Sequence, residues 1–558
     1  MTKQILLAAL ALVPAAAFAQ GAFDAYSISQ PDLKGTARFM SMGGAFGALG
    51  GDLSTFSQNP AGIGVYRRSE IGITVDLDCQ SSKAESFGLT NTTTQTKFLL
   101  NNFGGVATYR LNSETCPNIN FGFSYNKAAS FNRHFGGRIP TLYNSLSNYI
   151  AGVTNQEGAT VGDLETTDNY DPYNPTDGGY VPQWASILGY DSYLITPQGD
   201  KDSPTWTGQW GSSTSGVGNF EMFEKGSIDE YNISLGGNIS NVVYWGMDFG
   251  ITDLNYRIES IWGEQLQNAY VDNQGGVAAN WDLYNNYRMR GTGFTYRLGV
   301  ILKPIQELRL GFAIHTPTWY NIDEEYYGDV DYNYTGENMP RPGYATTNNG
   351  YTATNSYNFR SPWKFLASIA GIVGERMILS ADYEWTSYST MKFSEDNREY
   401  YYDEDPWYWE NGMAKQTRSS IDYNSPYGYT NYDISNYFTK TSTLRLGAEF
   451  RVTPQFSVRA GYSYVTSPVK SRVADNMETV YTTGTRPQYV VDKSTNYVTC
   501  GLGYRYQKFY IDAAYVWKHR TSDYHAYTPD PANPNIPSPQ ATITDSNSQI
   551  VLSMGFKF

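Results

Sequence analysis

Four side chains in this chain are placed to hold an anionic head group: Arg309, His315, Arg445 and Arg459. Each sits in a segment where residues of the other parity are apolar. Leu308, Leu310, Phe312 and Ile314 alternate with Arg309 and His315. Leu444, Leu446, Ala448 and Phe450 alternate with Arg445, and Phe456, Val458, Ala460 and Tyr462 with Arg459. Successive side chains of a strand point to opposite faces, so the cations share the face that the apolar residues leave. A guanidinium there is a bidentate donor for a carboxylate. The competing role is structural. Asp382, Glu384 and Glu449 alternate in the same way with apolar neighbours such as Leu379 and Tyr383. Pairing is the default fate of charges on an enclosed face, so a ladder of ion pairs outweighs a ligand site.

Other chemistries find less support. Neither G-x-S-x-G nor H-E-x-x-H occurs, so no catalytic residues are assigned and an outer-membrane lipase is disfavoured. Acidic clusters at Asp323-Glu324-Glu325 with Asp329 and Asp331, and within Glu395–Glu410, lack EF-hand spacing, so no metal is expected. A haem receptor would need axial ligands. The histidines are His134, His315, His519 and His525, and only His315 falls on an inward position. No cofactor is expected. The run Gly43-Gly44-Ala45-Phe46-Gly47 lacks the G-x-G-x-x-G spacing and a P-loop lysine, so it reads as compact packing. Tyr400, Tyr402, Trp407 and Trp409 form an aromatic group in a polar segment, where exposed rings suit capture of a flat or apolar ligand. An adhesin using such segments is the other surface role.

The elements that position these residues are strands. The final residues Ile550, Leu552, Met554, Phe556 and Phe558 alternate up to the end, an apolar edge that suits a closed barrel whose outer face meets lipid. At the other end, Lys3, an apolar core from Ile5 to Val13, and Ala17-Phe18-Ala19 predict a secretory signal over 1–19. No later stretch approaches eighteen apolar residues, which excludes helical spans. Aromatics make up 15% and charged residues 17%, with 53 Gly and 48 Tyr, a mixture that fits strands, aromatic girdles and polar loops. Without the signal the formal charge is 39 minus 54, or −15, which argues against nucleic acid as a partner. Cys79, Cys116 and Cys500 are too scattered for a disulfide framework and are read as barrel-wall residues.

Tight turns near Ser240-Asn241, Pro304, Gly374, Pro454 and Gln507-Lys508 join alternating segments, whereas 139–226, 260–285, 321–356, 392–437, 467–495 and 520–546 read as long loops. Period-2 segments predict an all-β transmembrane antiparallel barrel of about fourteen strands over 69–558. Charge is costly on the lipid face, so the charged parity must face the lumen. Residues 20–68 lack alternation and are expected to plug that lumen.

The plug segment carries a glycine- and alanine-rich stretch, Asp52, a short spacer and Asn59-Pro60-Ala61-Gly62. With Leu302-Lys303-Pro304, Ser361-Pro362-Trp363 and Arg459-Ala460-Gly461-Tyr462, this resembles the FadL/TodX family of outer-membrane transporters for long-chain fatty acids and other hydrophobic compounds. A terminal aromatic such as Phe558 likewise resembles the closing strand of bacterial outer-membrane barrels, which the insertion machinery reads. The resemblance implies a monomeric channel in the bacterial outer membrane with Asp52, Asn59, Pro60 and Ala61 in an N-terminal hatch. A fatty-acid-like ligand would pass from the loops to a lumen pocket, and leave by a hatch movement or a lateral opening. No chemistry and no energy coupling are implied.

Overall fold

The computed structural model describes residues 21–30, 32–165, 182–374, 376–395, 427–475, 480, 482, 484–529 and 536–558. Fourteen antiparallel strands close a barrel around the N-terminal segment. They are β1 Glu70–Ser86, β2 Leu89–Arg110, β3 Asn118–Ile139, β4 Ser215–Ile239, β5 Val243–Val271, β6 Gln274–Ile305, β7 Leu308–His315 continued by Trp319–Thr335, and β8 Ala353–Arg360 continued by Lys364–Val373. There follow β9 Met377–Ser387 continued by Lys392–Glu395, β10 Lys440–Arg451, β11 Phe456–Val465, β12 Tyr489–Tyr506, β13 Phe509–His525 and β14 Gln540–Lys557. Closure is made by β14 on β1, with Phe556 opposite Ile71, and the amide of Phe558 donates to the Ser69 carbonyl at 2.9 Å. The terminal alternation is therefore a lipid-facing strip: Ile550 and Phe558 are 59% and 60% exposed.

The outer band of β1–β14 is apolar, and the inward parity carries Asp382, Glu384, Arg445, Glu449 and Arg459, as the alternation predicts. Much of the predicted loop is strand instead. Residues 260–285 form the upper halves of β5 and β6, joined at Asp272-Asn273 with φ of 46° and 63°. The Asp323–Tyr327 cluster lies in β7, with Asp323 and Glu325 on its outer face and Glu324 buried, accepting from the Tyr287 hydroxyl at 2.9 Å.

The reason is an inversion of hydrophobic phase. In lower β5, Met247 and Ile251 face outward and Asp248 and Thr252 inward. From Leu254 upward the parity is unchanged, but Leu254, Tyr256, Ile258, Trp262 and Leu266 are now the inward, buried set, with Asp253 and Asn255 exposed. The lower part is built for lipid outside and polar groups inside, the upper part for water outside and an apolar core inside. β6 spans 32 residues. A bilayer crossing needs about 9–11, so most of this strand stands above the membrane.

The β3–β4 connection forms a cap over the lumen. Its helices are α4 Leu146–Glu157, α5 Val161–Glu165 and α6 Trp184–Asp191, following α1 Ala22–Ser27, α2 Ala37–Ser41 and α3 Thr55–Gln58 of the N-terminal segment. Glu264 of β5 accepts from the Leu146 amide at 2.9 Å, the Trp281 indole donates to Gln209 at 3.0 Å, and the Tyr334 hydroxyl donates to the Ser192 carbonyl at 2.7 Å. At the top of β9 the free edge is occupied by Asn431 of α7 Gly428–Tyr437, whose amide group bonds both Phe393 N and Phe393 O, at 2.8 and 2.9 Å. The described cysteines are free. Cys79 and Cys500 lie in the wall, but Cys116 lies in the β2–β3 turn, which the Leu111 amide closes on the Pro117 carbonyl at 2.9 Å.

Candidate functional site

The N-terminal segment is seated in the lumen by two kinds of contact. Against β5, β6 and β7 it is steric. A Cβ at Gly246 would stand 2.1 Å from the Pro60 carbonyl oxygen, one at Gly299 1.9 Å from Asn59 Oδ1, and one at Gly311 2.2 Å from the Gly47 carbonyl oxygen. Glycine is needed at those wall positions so that backbone can approach backbone. Asn59 is fully buried; its Nδ2 donates to the Gly47 carbonyl at 2.6 Å and its Oδ1 accepts from the Ala61 amide at 3.1 Å. Pro60 opens the 3-10 turn Pro60–Val65, where its missing N–H costs nothing. Asp52 accepts from the Thr36 hydroxyl at 2.8 Å and the Ser54 amide at 3.0 Å, tying α2 to the Asn59 turn.

On the opposite side, close approaches at Gly447, Gly461 and Gly501 are joined by ion pairs to β1, β10 and β13. Lys34 Nζ lies 2.7 Å from Asp76 and 3.1 Å from Asp78, and Arg38 lies 3.0 Å from Glu449. Burial opposes the charge on Lys34, but Asp32, Asp78 and Asp76 outweigh it and hold its pKa above the ordinary lysine range. Burial likewise opposes the charge on Asp32, and Lys518 and Lys34 overcome it, so its pKa is lowered.

Between this segment and the wall lies a chamber of about 1,240 Å³ of empty space, part of it open to solvent. It shares Gln30, Asp32 and Ala129 with a second space of about 1,190 Å³ around α1. Of the four sequence-selected residues, Arg445 and His315 line the lower chamber. Arg445 donates to Glu384 Oε2 at 3.1 Å through both terminal nitrogens, and His315 Nε2 contacts the Gln58 carbonyl at 2.7 Å. Arg309 and Arg459 sit nearer the periplasmic turns. Arg309 donates to the Leu49 carbonyl at 2.5 Å, and Arg459 bridges Glu449 and Asp512 at 2.7 and 2.6 Å. Arg297 and Lys364 also line the chamber. Both were open to detection, since each is on the inward parity beside outward Leu298 and Phe365. Lys34 had no periodic signal. His525 corrects the expectation that His315 alone looks inward: it is buried and stacked on Tyr489 at 4.7 Å. Tyr400, Tyr402, Trp407, Trp409 and the signal segment lie outside the described residues.

Behind the chamber the wall is unzipped. β2 and β3 pair only from Asn102↔Asn126 down to Arg110↔Asn118, and Ala128 is an extra residue in β3 between Lys127↔Asp229 and Ala129↔Ile228. The bulge flips β3 parity, so even residues face inward below it and odd residues above. Above Asn102 the strands are bridged by side chains. Asn91 donates to the Gly136 carbonyl at 2.8 Å, Thr93 to the His134 carbonyl, and Lys97 approaches the Phe131 carbonyl at 3.5 Å. Lipid-facing Phe98 and Leu100 flank this seam, and Lys127, Ala128 and Ala129 line the chamber within it.

A closed barrel, a lumen-filling N-terminal segment and a ligand-sized chamber fit a family model described as outer membrane protein transport protein (OMPP1/FadL/TodX), which matches residues 232–558. The chain belongs to that family. Solved structures similar to it are a Pseudomonas aeruginosa FadL homologue, the P. putida toluene transporter TodX and the Ralstonia pickettii toluene transporter TbuX. Identities are 14%, 11% and 12%, and TM-scores are 0.49, 0.46 and 0.44. The matches cover 95%, 94% and 94% of this chain and 99% of each neighbour. No curated protein matches. FadL/TodX membership places the protein in the outer membrane, among channels for hydrophobic small molecules rather than enzymes.

Proposed function

We propose that this protein is a passive channel for an amphiphile such as a long-chain fatty acid, which enters from the extracellular side, rests in the lumen chamber and leaves through the β2–β3 seam into the bilayer. The observation that carries this is the seam itself, where unpaired wall backbone backs directly onto a chamber large enough for a ligand. Arg445 and His315, with Lys364 beside them, are the groups proposed to meet the carboxylate. Lys364 has no ion pair among the described residues, whereas Arg445 already shares Glu384. Arg309 and Arg459 are proposed to act through the segment they hold in place. Residues 20–68 serve as the hatch, with Asp52, Asn59, Pro60 and Ala61 as its rigid corner, and 69–558 as the barrel of a monomer. Its outer face meets lipid, and Phe558 is presented to the insertion machinery. Each methylene buried along the way gains roughly 0.8 kcal/mol, so weak apolar contacts suffice to conduct the ligand down its gradient.

The test is uptake of labelled long-chain fatty acid by cells lacking their own transporter and expressing this chain. Wild type is expected to restore saturable uptake, and Asn59→Ala/Pro60→Ala to alter it with the barrel still inserted. Absence of uptake by a correctly inserted wild type overturns the fatty-acid reading.

A further inference from the structure

The outer face of the wall passes from lipid to water at a belt of rings. Phe294 and Trp319 pair at 5.3 Å across β6 and β7, and Trp363, Phe365 and Trp385 carry the belt on across β8 and β9, with Phe365 and Trp385 5.3 Å apart. Aromatic side chains collect at the level of lipid head groups. Cations on the same face, at or just above the belt, therefore stand where head-group phosphates lie.

These cations are of two kinds. On β4–β7 they are paired: Lys225 and Arg257 with Glu259, at 3.4 and 2.9 Å, and Arg288 and Arg290 with Glu325, at 3.9 and 3.8 Å. On β8–β10 they are not. Arg360 is directly opposite Trp319 on one side and Lys392 on the other, and Lys440 is opposite Ser387, two residues above the level of Trp385. Opposite residues of an antiparallel pair share a face, so all three point outward, while their neighbours Phe359, Phe393 and Thr441 are buried. None of the three has an ion pair among the described residues. The first outward carboxylate above Trp319 on β7 is Asp323, four residues on, and it accepts from the Ser356 hydroxyl at 2.7 Å.

Arg360 is also held in place. Its Nη2 donates to the Thr390 carbonyl at 3.1 Å, across the 3-10 turn Tyr388–Thr390, and its Nε is buried and lacks a hydrogen-bond partner. A guanidinium fixed at one end with donors unused, flanked by two exposed ammonium groups, has the chemistry of a phosphate seat.

We propose that Arg360, Lys392 and Lys440 receive the phosphate groups of a phosphorylated glycolipid, lipid A, of the outer leaflet, and that its acyl chains lie against Trp363, Phe365 and Trp385. The lipid supplies the counter-charge that the wall withholds at these three positions and supplies elsewhere. β9 stands seven strands from β2 in the ring of fourteen, so the docked lipid braces the wall on the side away from the β2–β3 seam. The proposal needs the outer-membrane location and not the transport reading.

The experiment is native mass spectrometry of the full chain in detergent, titrated with diphosphoryl lipid A, with its dephosphorylated form and with inorganic phosphate. EDTA is present, so no divalent cation can bridge phosphate to carboxylate. Wild type is expected to hold diphosphoryl lipid A at least tenfold more tightly than the dephosphorylated form. Lys392→Gln/Lys440→Gln changes two exposed side chains and should abolish that preference with the barrel still folded, as read by heat-modifiable mobility. Arg360→Gln should lower it. Lys225→Gln/Arg257→Gln removes as much charge from the paired set and should leave it intact. Equal affinity for the two lipids, or a preference that survives the double lysine variant, overturns the seat. Displacement of lipid A by inorganic phosphate at equal concentration overturns the lipid as occupant. Fatty-acid uptake by the double lysine variant should match wild type, so failure of this proposal and failure of the transport reading are read separately.

Discussion

Lys34 shows what a single side chain does here. Its ammonium is the counter-charge for Asp76 and Asp78 on β1 and also donates to Gln549 of β14 at 2.9 Å, next to the strand pair that closes the barrel. Removing one partner of a buried ion group leaves the others uncompensated, at a cost of about 3–5 kcal/mol. Lys34→Met should therefore loosen the hatch, read as a rise in single-channel conductance, and Lys34→Met/Asp76→Asn should recover part of the closed state. Conductance unchanged in Lys34→Met would place the hatch's hold in the glycine contacts instead. Asn59→Ala strands the Gly47 carbonyl and the Ala61 amide, at roughly 1–3 kcal/mol for a buried unsatisfied group. It is expected to expose the 21–68 segment to periplasmic protease. The functional weight of Arg445 against Arg459 follows from the same logic. Arg459 is saturated by two carboxylates, so Arg459→Ala should cost folding yield, whereas Arg445→Ala, freeing Glu384 at the chamber, should raise the apparent KM for a fatty acid.

At the scale of elements, the cap is the part whose stability responds to pH. Burial raises the Glu157 pKa to about 7, with Ser186 donating to it at 2.8 Å, and raises Asp191 to about 6. Both acids hold a proton in the folded cap that the unfolded segment has already lost above its ordinary carboxylate pKa. The cap is thus more stable at pH 5 than at pH 8, losing stability as pH rises from about 4.5 to 7. Hydrogen exchange over 146–191 should quicken across that window in wild type and change less in Glu157→Gln, with Asp191 and Glu264, which burial also raises to about 7 and which holds the Leu146 amide, accounting for the remainder. An equal pH response in that variant would remove Glu157 from the account. Strand faces near the membrane were legible in sequence because one parity there is continuously apolar, as in Leu444 to Phe450. The upper strands were not, because at Leu254 the apolar set changes parity while the backbone does not, and Tyr, Asn and Asp at neighbouring positions hide the alternation. The Ala128 bulge was likewise invisible, since one small residue carries no periodic signal. For the candidate site, Arg445 and His315 could be read from parity, while Lys34 is placed by tertiary contacts alone.

The whole molecule is a wall with two solvents on its outside. Its lower part is matched to lipid, and its upper part is a water-exposed sleeve that the cap fills, so a ligand meets an apolar interior before it reaches the charged chamber. The exit proposed at the β2–β3 seam would convert a plugged barrel into a channel without opening a water-filled pore across the membrane. That claim is tested most directly by deleting Ala128, the extra residue of β3 against β4, together with Asn101, the extra residue of β2 against β1, which straightens both strands of the seam and lets them meet in register. Labelled long-chain fatty acid uptake would be measured in cells lacking another transporter, with insertion verified by heat-modifiable mobility. The account predicts at least a tenfold loss of uptake with the barrel inserted and the hatch protected. Uptake at the wild-type rate through the straightened wall would contradict it and place the exit elsewhere.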